Sequence, residues 1–117
     1  MISFVEAILG ESEESGIITH TEVDIEGPIA KIRLTIDEKT FIQVFSNLTT
    51  KTLAYTVIKE SKRIYGIDRD NIRGWHEHPF EDPTTHRKCD KVTFKHFLEN
   101  VKELLKYFRA ERDKKDC

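Results

Sequence analysis

Three of the chain's five histidines, His76, His78 and His86, fall between positions 76 and 86 of its 117 residues. An imidazole has an ordinary pKa of about 6.5, so it gives and takes protons near neutrality, and two rings in opposite protonation states act as base and acid. In an extended backbone, residues two apart point to the same side, which puts His76 and His78 on one face with Trp75 and Glu77 on the other. His86 follows across Pro79 and Pro83, which favour extended and turn conformations able to bring a third ring back over the pair. Phosphodiester cleavage in RNA suits this set. One histidine takes the proton of the ribose 2′-OH, another protonates the leaving oxygen, and Arg73, Arg87 or Lys88 stabilises the charged phosphorane. The substrate supplies the nucleophile, so no metal or other cofactor is required. Trp75 either stacks on a base or packs against the core.

The same stretch supports a second chemistry. His76, His78, His86 and Cys89 are four ligand types that zinc accepts, and together they can close a tetrahedral structural site; three histidines with an open position would instead make a catalytic one. The plainest alternative is histidines on a surface loop. His20 and His96 are assigned to that reading, His96 because it falls on the polar side of the last helix. Nothing in the sequence lowers the pKa of Cys89 to make it a nucleophile. The glycines, at 10, 16, 27, 66 and 74, form no phosphate-cradling loop, and no serine sits in a nucleophile-elbow context.

The elements that must carry this segment, 72–89, are read from periodicity. Val5, Ile8 and Leu9 suggest a short N-terminal helix, ended by a polar loop over 10–16. Alternation from Ile17 to Ile25 and again from Ala30 to Ile36 predicts two strands. Phe41–Phe45, Leu53–Ile58 and Arg63–Ile67 continue the series, giving about five strands. Gaps of a few polar residues can join antiparallel neighbours but cannot carry a parallel crossover. Residues 72–79 fit neither period well. Phe94, Phe97, Leu98, Val101, Leu104, Leu105 and Phe108 form one apolar stripe, so a helix over about 91–112 covers the sheet, capped by Asp90 or Thr93. The expectation is one α+β domain over 1–117, an antiparallel meander under a C-terminal amphipathic helix.

Composition narrows the setting. With 38% hydrophobic and 34% charged residues the chain can fill a modest core, which excludes disorder throughout. A net charge of −2 provides no general attraction to phosphate, so any nucleic-acid contact must be local. No apolar run approaches the ~20 residues that span a bilayer. No membrane partner and a cytoplasmic address are the expectations. Two cysteines, Cys89 and Cys117, form no disulfide framework and are read as reduced. A small domain with strand edges can also form a homodimer.

The layout resembles the TumE-type toxins of prokaryotic toxin-antitoxin modules over nearly its full length. Glu77-His78-Pro79 and His86-Arg87-Lys88-Cys89 are similar to that family's His-His-Pro step and its following His-His-Lys-His run, and Asp70-Asn71 is similar to its Asp-Asn step. His78, Pro79, His86 and Lys88 match. Glu77, Arg87 and Cys89 stand where the family has histidines, and His76 lies one step early. The resemblance implies a small toxin restrained by an antitoxin protein, with RNA as its target and ribonuclease activity to be tested.

Overall fold

The computed structural model describes residues 1–80 and 87–115, the stretch 109–115 by backbone alone. Helix α1 (Ile2–Ser15) leads into seven strands and helix α2 (Phe94–Lys115) closes the chain. The strands are β1 (His20–Glu26), β2 (Ile29–Thr35), β3 (Thr40–Asn47), β4 (Thr52–Lys59), β5 (Lys62–Asp70), β6 (Gly74–His78) and β7 (Arg87–Lys88). They pair in sequence order, each antiparallel to the next, in one sheet. The α+β meander read from the sequence is therefore present, with two strands more than expected. Both additions come from the histidine segment, where Trp75 and Glu77 on one face and His76 and His78 on the other do not alternate in polarity.

Directly opposed residues in an antiparallel sheet share a face. Ile32, Val44, Tyr55 and Ile67 are opposed in series across β2, β3, β4 and β5, and all are buried. Both helices cover this face. Val5 and Ile8 of α1 and Phe94, Phe97, Leu98 and Val101 of α2 join the same core. The Phe97 ring lies 5.3 Å from that of Tyr55 and stacks at 5.5 Å on that of Tyr65. Fully burying one such side chain stabilises by roughly 1.5–3 kcal/mol, so the α2 stripe is what fastens the helix to the sheet.

Two helix boundaries differ from the sequence reading. The polar stretch 10–16 is no loop up to Ser15: α1 continues through it because Ser12 falls on the buried face with Val5 and Ile8, its hydroxyl donating to the Ile8 carbonyl at 2.7 Å. Helix α2 spans 94–115 and not 91–112. Thr93 is its cap, Oγ1 accepting the His96 N–H at 3.2 Å, so Asp90 is not the residue that starts it.

Candidate functional site

The hairpin joining β5 to β6 sets the site. Asp70 Oδ1 accepts the backbone N–H of Ile72 at 2.9 Å and of Arg73 at 2.6 Å, closing an Asx turn, and Arg73 Nε donates to Oδ2 at 3.1 Å. These donors, the Arg73 N–H first, hold the Asp70 carboxyl below its usual pKa. Gly74 leaves the turn at φ 70°, a left-handed conformation that a side chain would oppose. The turn thereby fixes the register: Asp70 faces Gly74, Asp68 faces His76 and Gly66 faces His78. A slip of one residue would move both histidines to the helix side of the sheet.

In this register the row Asp24, Lys31, Phe45, Ala54, Asp68, His76 and Lys88 runs across all seven strands on the face away from the helices. There His78 Nε2 donates to Asp68 Oδ2 at 2.9 Å. His76 Nε2 lies 3.4 Å from the same oxygen, and the two rings meet edge to face at 5.4 Å between centroids. His76 Nδ1 donates to the Gly74 carbonyl at 3.3 Å. The histidine side chains are 6% and 1% exposed for His76 and His78, and Asp68 is 23% exposed, so Asp68 is the solvent side of the cluster. Among the described residues these three side chains form a group whose ligand-type atoms all lie within 4.8 Å of one another.

The other residues singled out from the sequence divide between the two faces. Lys88 opposes His76 and shares its face. Arg87 opposes Glu77 and pairs with its carboxylate on the helix side. Trp75, opposite Arg69, is on the helix side as well, half-buried against the core with the Arg69 guanidinium 5.6 Å above its ring. Arg73 is held by Asp70 in the turn. Cys89 donates its backbone N–H to the Trp75 carbonyl and packs on the helix-side core, where burial first and the Glu77 carboxylate second push its thiol pKa up. A raised thiol pKa opposes the thiolate that zinc would require. His86 lies outside the described residues, as does Cys117. His20 and His96 are exposed, His20 near Glu22 at 3.4 Å.

The sequence reading passed over Asp68, which sits in an ordinary strand with no motif around it. The signal that would have found it is the turn: a hairpin closed between Asp70 and Gly74 must set position 68 against 76. Comparisons with family models, curated proteins and solved structures return no match. No helix of the described residues is long and apolar enough to cross a membrane.

Proposed function

We propose that this chain is a toxin-like domain that acts on RNA by metal-independent histidine acid and base catalysis, in the cytoplasm of a prokaryote and under the restraint of an antitoxin protein. The observation that carries the reading is the convergence of two buried imidazoles on one carboxylate, on the face the helices leave open. With the Nε2 proton of His78 held by Asp68, its lone pair is on Nδ1, the nitrogen that takes the 2′-OH proton. Asp68 orients the ring and stabilises the imidazolium that results, the role a carboxylate plays beside any catalytic histidine. A second imidazole, His86 or His76, returns a proton to the leaving oxygen. Lys88, on the same face, is the cation best placed for phosphate, ahead of Arg73 and Arg87, whose guanidiniums are engaged by carboxylates.

The test is cleavage of RNA in the presence of chelator by wild type and by a His78→Ala, His86→Ala double variant. Cleavage by the wild type that disappears in the variant supports the reading. Undiminished cleavage by the variant, or none by the wild type, overturns it.

A second reading, a non-catalytic interaction module, is favoured by β1. That edge strand is exposed along its whole length, with Val23 and Ile25 each 43% exposed, and such edges recruit further strands from a partner or a second copy. A stable complex or homodimer formed by a chain inactive on RNA is the outcome that would select it.

A further inference from the structure

Two distances around Asp68 point past proton transfer. His76 Nδ1 faces the Gly74 carbonyl, which can only accept, so that nitrogen carries the proton and in a neutral ring Nε2 carries the lone pair. That lone pair is 3.4 Å from Asp68 Oδ2, itself an acceptor, and the same oxygen lies 2.9 Å from His78 Nε2. Two acceptors held this close by the hairpin register repel one another unless a proton or a metal cation lies between them. Ligand atoms bound to zinc at about 2.0–2.2 Å are separated from their neighbours by about 3–3.5 Å in tetrahedral or octahedral arrangement, which matches both separations from Asp68 Oδ2, and all three ligand atoms lie within 4.8 Å of one another.

We infer that Asp68 Oδ2, His76 Nε2 and His78 Nε2 form a binding site for a divalent transition metal ion of the zinc class. Two imidazoles and one carboxylate are a donor set that zinc, cobalt(II) and iron(II) all accept, with coordination positions left for water. The Gly74 carbonyl holds the His76 ring in the tautomer a metal needs, as an outer partner does at many metal sites. The ion enters past Asp68, the most exposed of the three, and as it binds the proton of His78 moves from Nε2 to Nδ1, so that the ring stays a neutral imidazole. The site differs from the set suggested by sequence spacing, since Cys89 lies on the other face of the sheet and a strand carboxylate takes part. It stands on geometry and does not depend on the RNA reading; where both hold, ion occupancy engages the imidazoles needed for proton transfer, and zinc suppresses cleavage.

The experiment is titration of untagged, chelator-treated protein with Co(II) and with Zn(II), without RNA, followed by calorimetry and, for cobalt, by visible absorption. Saturable binding of one ion is expected, with a cobalt spectrum free of thiolate charge transfer. Binding should weaken about tenfold or more in His76→Gln and in Asp68→Asn, taking ligand-sphere losses as a guide, and be unchanged in Cys89→Ser. Circular dichroism checks that each variant is folded, and either ligand variant suffices if the other is not. Absence of saturable binding, equal affinity in a folded ligand variant, or dependence on Cys89 would overturn the assignment. None of these results depends on cleavage, so the two proposals fail separately.

Discussion

Replacing Asp68 by alanine removes the acceptor of a hydrogen bond from a ring that is 1% exposed. The donor left behind is Nε2–H of His78, and stranding a buried donor costs about 1–3 kcal/mol. Little apolar burial is lost, because Asp68 lies at the solvent side of the cluster. Asp68→Asn keeps a carbonyl oxygen in the same place and should cost less than half as much. Urea unfolding slopes for domains of this size are about 1–3 kcal/mol per molar, so the alanine midpoint should fall by about 1 M while the asparagine midpoint moves far less. The single tryptophan, Trp75, is next to His76 in β6, which makes its fluorescence a local probe beside far-ultraviolet circular dichroism. An alanine variant within about 0.5 kcal/mol of wild type, the usual spread for an unimportant surface position, would refute the bond and the buried cluster with it.

Phe97→Ala should destabilise by about 3–5 kcal/mol, since Phe97 is wholly buried against Tyr55, Tyr65 and Phe94, and chemical denaturation will measure it. Gly74→Ala should cost about 1–2 kcal/mol through its left-handed backbone alone, because an added Cβ would meet no atom within 4 Å; a loss much larger would mean that the turn makes contacts not accounted for. Tyr55 and Tyr65 are both pushed up to about 12 by burial. The native state therefore keeps their protons where the unfolded chain releases them, so stability should hold up to about pH 10 and fall as pH rises from there toward about 12, by on the order of 2 kcal/mol for each ring. Unfolding free energies across that range test the sign, and stability that rises with pH would contradict it.

The parts of the fold legible in the sequence are those where periodicity and burial coincide. Ala30, Ile32 and Leu34 alternate because β2 is buried on one side only, and the α2 stripe repeats because one side of that helix meets the sheet. The end of helix α1 is not legible, because a buried serine stands there at a core position. Strand β6 escaped because its buried side chains are histidines, which no polarity pattern marks as inward-facing. For the site, the spacing of His76 and His78 is enough to place two rings on one face, whereas Asp68 lies eight and ten residues before them and becomes their neighbour only through the Asx turn at Asp70. Arg87 and Lys88 show the converse limit: adjacent in sequence, they point to opposite faces, and only Lys88 shares that of the histidines.

The clustering of Asp68, His76 and His78 underlies both the catalytic and the metal proposals, and the imidazole nitrogens report on it directly. Long-range proton–nitrogen correlation spectra of the histidine rings should be recorded for wild type and for Asp68→Asn. The expected result is that the signals of His76 and His78 move together while those of His20 and His96, exposed and outside the cluster, stay in place. Spectra in which the rings of His76 and His78 do not respond to the loss of the carboxylate would contradict the shared site.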